Sequence, residues 1–219
     1  KPGDRLSPER ELAEQTGISR SSVNQGILDL ERQGFLRIAP RKGTFVADYR
    51  QNAIPQTLTV IMNYDSGKLD YALFHDLMAT RLLIERECAR LACPHMTPES
   101  AGALDRLAGL MDTGDREQLV DTLFAFHRYV VQMAGNAVYA MIFNSFEGSI
   151  RRLTDIHYRG AEKLEASVPK YKQLIRALKA GEADRAGRCM AEILVTASDN
   201  LREMLGFPER PDFLSGRPR

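Results

Sequence analysis

Apolar residues change rhythm along this chain. Up to about residue 48 they come in short clusters broken by turn formers. From about Lys68 to Leu205 they recur at helical spacing, interrupted by "PHMTPES", "TGD", "AGN" and "AGE". The stretch "SPERELAEQTG" predicts a first helix with Ser7 as N-cap, Pro8 at the first helical position and Glu9 and Glu11 in the first turn. Gly17 stops it. A second helix is predicted from Ser19 to near Gln33-Gly34, burying a stripe of Val23, Ile27, Leu28 and Leu30. "FLRIAP" and "GTFVAD" then alternate around "RK", which predicts a two-stranded hairpin. Two short helices joined by a tight turn and followed by a hairpin describe a winged helix-turn-helix over residues 1–48.

Residues 49–66 contain Pro55 and hold no sustained helical period, so they read as a linker with room for a short packed segment. Residues 67–206 read as an all-α domain and residues 207–219 as a C-terminal tail. The expected fold class is therefore mainly α: an N-terminal winged helix-turn-helix followed by a roughly six-helix antiparallel bundle. No internal repeat or low-complexity tract interrupts that division.

The bundle pattern carries some unusual polar positions. Over residues 70–93 the stripe Phe74, Leu77, Arg81, Ile84, Cys88, Leu91 contains one charge. An arginine on a buried stripe needs a partner, because an unpaired buried charge is costly. The partner is either a structural glutamate, Glu85 or Glu147, or an anionic effector such as a carboxylate or phosphate. His127 falls on the stripe Val120–Phe124–His127–Val131, and Tyr171 on Tyr171–Leu174–Leu178. A pocket lined by Leu123, His127, Tyr171 and Ile193 would be mostly apolar with a few polar handles, which suits an acyl chain better than a small sugar acid.

Composition changes this picture little. With 43% hydrophobic and 27% charged residues the chain reads as globular and cytoplasmic, and no apolar run approaches the ~18–20 residues that span a bilayer. The three cysteines, Cys88, Cys93 and Cys189, are odd in number and sit in apolar helical patterns, as packed reduced thiols do. A net charge of +1 excludes nothing, since nucleic-acid binding needs only a local basic face. One local concentration exists: between Pro40 and Tyr49, Arg41 and Lys42 face a single acid, Asp48.

The second helix would present Arg20, Ser21, Ser22, Asn24 and Gln25 at its exposed N-terminal end. Such side chains donate to phosphates or reach base edges when a helix enters the major groove. Each feature alone has a bland reading: ordinary capping by Ser19 to Ser22, and a solvated hairpin turn at "RKG". Their order and spacing together point to DNA. Enzymatic readings are weaker. His75-Asp76, or His127 with a distant serine, lacks any nucleophile elbow, P-loop or glycine-rich phosphate fingerprint. No catalytic residues are expected.

The stretch "KPGDRLSPERELAEQTGISRSSVNQGILDLERQGFLRIAPRKGTFV" resembles the DNA-binding domain of the GntR family of bacterial transcriptional regulators. The resemblance implies that the family's first helix precedes Lys1. It puts Arg10, Ser19, Arg20, Ser21 and Ser22 on backbone- or base-contacting positions, and Lys42 and Gly43 at the wing tip. Asn24 departs from the arginine that many members carry to read guanine; asparagine pairs best with adenine, so the operator core would differ. Three later segments, "RLLIERECARLA", "FHRYVVQMAGNAVYAMIF" and "YKQLIRALKAGEADRAGRCM", are similar to the FadR subfamily, whose bundle binds an effector and dimerises.

Many such bundles hold a metal on one aspartate and three histidines. Here the corresponding positions are Leu123, His127, Tyr171 and Ile193. One ligand of four makes no site, so no metal or other cofactor is expected. That absence resembles the metal-free, fatty-acid-responsive FadR branch. What the resemblance implies is a dimeric regulator on a palindromic double-stranded operator, with no membrane partner. Its effector would be acyl-CoA or fatty-acid-like, held by Arg81, Leu123, His127, Tyr171 and Ile193. The alternatives are a small organic acid as effector, or a bundle that only assembles the protein.

Overall fold

The computed structural model describes residues 1–54, 57–58, 60–61, 70–111, 116–159 and 161–208, with backbone alone at residues 50 and 161–165. Two compact units result, Lys1–Gly67 and Lys68–Arg219. Most of the tail predicted at 207–219, and parts of the predicted linker, lie outside the described residues.

In the first unit, helix α1 spans Glu9–Thr16 and α2 spans Arg20–Arg32. Pro8, not Ser7, occupies the N-cap position of α1, and no side chain caps it. The Pro8 carbonyl accepts from the Leu12 amide at 3.0 Å, so the turn starts one residue later than the hydroxyl suggested. Gly17 closes α1 in the left-handed conformation (φ 71°), where glycine carries no Cβ penalty. Ser19 caps α2, accepting from the Ser22 amide at 3.2 Å.

Strands β1 (Leu36–Ala39) and β2 (Gly43–Val46) form an antiparallel hairpin with Leu36 opposite Val46 and Ala39 opposite Gly43. Residues Gly3, Asp4 and Leu6 pair with the far side of β2 through three backbone bonds of 2.8 Å each. At the tip, Arg41 is the one non-glycine with positive φ (64°) among the described residues. The core of this unit is small: Val23, Ile27 and Leu36, flanked by Leu6, Leu12, Ala13, Ile38 and Val46. Leu30, predicted to be buried, is 40% exposed. Leu28, predicted in the same stripe, is half-buried. A short helix α3 (Tyr49–Asn52) follows, and its Asn52 carbonyl lies against the buried Gly34 (φ 80°).

The second unit contains seven helices among the described residues, one more than the periodicity suggested. They are α4 (Tyr71–Ala92), α5 (Pro98–Leu110), α6 (Arg116–Met133), α7 (Ala137–Ser145), α8 (Glu147–His157), α9 (Ala161–Lys179) and α10 (Ala183–Met204). Between "AGN" and "AGE", where the sequence marks no further break, the chain forms three helices, α7, α8 and α9, the first two parted at Phe146. Helix α4 packs chiefly on α10 and α6, and α9 on α10. Asp70, Thr97 and Asn136 each cap the helix that follows through a side-chain oxygen. On α4 the predicted stripe is buried from Phe74 to Cys88, but Leu91 is 37% exposed and Ala89 and Ala92 turn inward instead. Val120 is likewise only half-buried. Phe207, at the start of the predicted tail, packs edge-on to Tyr71 and tilted against Phe74. No helix among the described residues is long and apolar enough to cross a membrane.

Candidate nucleic-acid interface and buried sensor cluster

The predicted DNA-facing residues gather at the start of α2 and at the hairpin tip. Arg10, Ser19, Arg20, Ser21, Ser22 and Lys42 are all exposed, and Gly43 is half-buried. The Ser19 hydroxyl lies 2.9 Å from those of both Ser21 and Ser22, giving a tight knot of hydroxyls at the helix N-terminus. That knot, the orphan amides of the first turn and the helix dipole together suit a phosphate. Arg10 pairs along α1 with Glu14 at 3.3 Å.

Asn24 corrects the expectation of a fully exposed row. It is half-buried, and its Nδ2 donates to Glu9 Oε1 at 2.9 Å. The other oxygen of Glu9 sits 3.7 Å from Arg20 Nε. Sequence reading assigned Glu9 only to the first-turn dipole. Its reach across to α2 could have been found from the packing of Leu12 and Ala13 on Val23 and Ile27, which fixes the two helices face to face.

Lys42 and Arg41 project from the turn closed by Lys42 N–H donating to the Ala39 carbonyl at 3.0 Å. Gly43 has φ 116°, a backbone conformation that favours glycine, and a Cβ there would lie 2.8 Å from Arg5 Nε, at the far end of a side chain that can shift.

In the bundle, Arg81, Leu123, His127, Tyr171 and Ile193 are all buried, each under 10% exposed. The partner of Arg81 is Glu85: Nε donates to Oε1 at 2.7 Å, one helical turn on. Glu147 instead pairs with Arg151. The second oxygen of Glu85 lies 2.5 Å from His127 Nδ1, and His127 Nε2 lies 3.0 Å from the Tyr171 hydroxyl. Tyr171 is hydrogen-bonded in turn to Tyr158, and Tyr158 to Ser167. A continuous polar chain thus runs through α4, α6 and α9 inside an apolar core that includes Leu123, Phe126, Leu174 and Ile193.

Burial pushes the Glu85 carboxyl upward, but the charges of Arg81 and His127 and their hydrogen bonds outweigh it and hold the group below its ordinary range. Glu85 is therefore a carboxylate, and the imidazole must donate to it from Nδ1. Arg81 and His127 thus share the two oxygens of one carboxylate, and His127 Nε2 faces the Tyr171 hydroxyl. Burial raises Tyr171 well above the usual phenol range, keeping its proton available. Sequence reading missed Tyr158 and Ser167, whose neighbours gave no periodic signal.

Among the described residues no three His, Cys, Asp or Glu side chains gather as a metal site. Nor do the positions fit one: Leu123 and Ile193 offer only carbon, and both His127 nitrogens are engaged. Two open clefts lie elsewhere. One of about 440 Å³ between α5 and α9 is edged by Asp105, Lys172, Arg176 and Lys179. The other, between α6 and α8, is edged by Arg116, Asp121, Arg151 and Asp155. Burial, reinforced by Glu85 and Glu87, pushes the Cys88 thiol up to about 12, so it is no nucleophile at neutral pH.

With this geometry in place, comparison decides the family. Residues 1–46 match the gntR family of bacterial regulatory proteins, and residues 76–196, more than half the chain, match the FCD domain. The chain belongs to the FCD-domain regulators of the gntR family. It is a DNA-binding transcriptional regulator with an effector-binding domain, not an enzyme. It is similar to the HTH-type transcriptional regulator Mce2R of Mycobacterium tuberculosis, 28% identical over 211 residues, covering 93% of this chain and 85% of the relative. It is similar also to the fatty acid metabolism regulator protein of Shewanella halifaxensis, 27% identical over 173 residues, covering 79% and 71%. Among solved structures, Lar of Listeria monocytogenes superposes with a TM-score of 0.65 at 17% identity, covering 93% of this chain and 88% of that one. E. coli McbR/YncC gives 0.52 at 23%, covering 93% and 89%. These two show the fold alone.

Proposed function

We propose that this gntR-family regulator reads a palindromic operator in the bacterial cytoplasm as a homodimer, and that a metal-free bundle senses an amphipathic anion of the acyl-CoA or fatty-acid type. The carrying observation is the buried chain Arg81–Glu85–His127–Tyr171 set in an otherwise apolar core. Hydrocarbon lining supplies affinity for an acyl chain, and the polar chain supplies donors that change partners when a carboxylate or thioester arrives. The likeness to proteins named fatty acid metabolism regulator supports the ligand class.

A palindrome needs two reading heads, and a two-fold dimer supplies them. Leu83 on α4, with Val138 and Met141 on α7, is 62–74% exposed on helices that pack together, which suits a partner surface. Effector binding would weaken operator binding by linkage, because the ligand favours one disposition of the paired heads.

Titration with saturated acyl-CoAs of increasing length tests the ligand. Each added methylene buried contributes about 0.8 kcal/mol, roughly fourfold in affinity, for as long as the core yields to the chain. Length-independent binding would point to a small carboxylate taking Arg81 from Glu85. A third reading, assembly without sensing, draws on the fact that no buried side-chain polar atom among the described residues lacks a partner. It predicts that no such ligand raises the melting temperature.

A further inference from the structure

Among the described residues, Glu9 is the one acidic side chain that touches two residues of the predicted base-reading row, Arg20 and Asn24. It sits in the first turn of α1, half-buried, with one carboxylate oxygen for each partner. Resting on the reading that Asn24 faces a base edge, we propose that Glu9 is a specificity-determining residue: it fixes the Asn24 amide so that this position reads a base whose exocyclic amine lies in the major groove, adenine or cytosine, and rejects guanine and thymine.

A carboxylate only accepts, so the atom of Asn24 that faces Glu9 must be Nδ2. Oδ1 is then turned away from Glu9. A free asparagine amide rotates, and can offer an oxygen to an amine or an NH₂ to a carbonyl. Held by Glu9, it offers the oxygen. In the major groove that oxygen accepts from adenine N6 or cytosine N4, while guanine O6 and thymine O4 would bring two acceptors together. Nδ2 has a second hydrogen, and adenine N7 can accept it, so adenine ranks first. Cytosine lacks that second partner. An unpaired acceptor facing another acceptor is the repulsive element from which discrimination comes.

Arg20 makes the arrangement economical. Its guanidinium lies 71% exposed and only 3.7 Å from Glu9, so it can exchange this partner for phosphate or guanine without freeing Asn24 from the other oxygen. The two contacts are thus separable, and the proposal concerns Asn24 alone.

The test is binding-site selection with the full-length protein and three variants, each first checked for an unchanged far-ultraviolet spectrum and melting temperature. Glu9→Gln keeps size but presents either an oxygen or an NH₂ to Asn24, so the amide is free to turn over. At one symmetric operator position it is expected to cut the preference for adenine over guanine by tenfold or more. Affinity for the parental site should fall only a few-fold. Arg20→Ala should leave that position's preference intact while altering another. Asn24→Ala should erase the preference there. If Asn24→Ala erases it but Glu9→Gln preserves it, Glu9 does not set the orientation and the proposal fails, while base reading by Asn24 stands. If Asn24→Ala changes no position, the reading of Asn24 itself fails and the proposal falls with it.

Discussion

The reading head and the bundle keep their informative side chains in opposite places. Among its described residues the head has three buried apolar side chains, Val23, Ile27 and Leu36, and it carries its chemistry outside, on Arg20, the serines and Lys42. The bundle buries more than twenty apolar side chains in one cluster and draws its charged chain, Arg81–Glu85–His127, inside with them. Surface chemistry of the first kind is local: neighbouring residues on one short helix act on one partner. Buried chemistry of the second kind exists only once three helices have met. The first is tuned by salt and sequence contacts, the second by desolvation.

That contrast can be broken most forcefully at Glu85. Replacing it with alanine leaves the Arg81 guanidinium buried without its counter-charge, and should destabilise the bundle by about 3–5 kcal/mol in denaturant unfolding. A loss under 1 kcal/mol would mean that water reaches Arg81. Acid should act in the same direction. The folded Glu85 carboxyl lies below its ordinary value of 4.5, so the unfolded chain binds the proton more readily. Its stabilisation is full above pH 4.5 and is lost as pH falls through the lower folded value; in Glu85→Ala this part of the acid slope should vanish.

In the head the largest effect should come from backbone, at Gly34. A Cβ there meets the Asn52 carbonyl oxygen at 2.3 Å in a left-handed conformation, so Gly34→Ala should cost about 2–4 kcal/mol of head stability. Arg20→Ala should leave folding intact and weaken operator binding by about 1–3 kcal/mol at physiological salt. The smallest effect belongs to Lys42→Ala. It should weaken every DNA sequence alike and reduce the salt slope by about 1, as expected for one lost phosphate contact.

The head was almost wholly legible in the sequence because its signals are nearest-neighbour ones. Ser19 caps, Gly17 stops and the hairpin alternates within a few residues of one another. Ser7 misled because proline beside it took the N-cap geometry, and a hydroxyl one residue away is out of reach. In the bundle, periodicity found Arg81, His127 and Tyr171 as inward-facing, and Glu85 was one of two partners open to Arg81. The choice of Glu85 lay in its spacing of one helical turn from Arg81, but that the histidine shares it required the approach of α6 to α4 across 42 residues of sequence. Tyr158 was invisible for a different reason: it follows the last residue of α8, where no helical period applies. Glu9 escaped because a first-turn glutamate already has an adequate local explanation.

The wing tip holds one residue whose backbone and side chain pull in opposite directions. Arg41 keeps a left-handed conformation that disfavours any side chain by roughly 1–2 kcal/mol, yet it is one of two adjacent cations at the exposed turn. Glycine there would relax the hairpin and blunt its electrostatic reach in the same step. Heat resistance and grip are therefore opposed at a single codon: a population selected only for survival at high temperature would drift toward glycine, and its regulator would outlast the parent while holding nucleic acid less firmly.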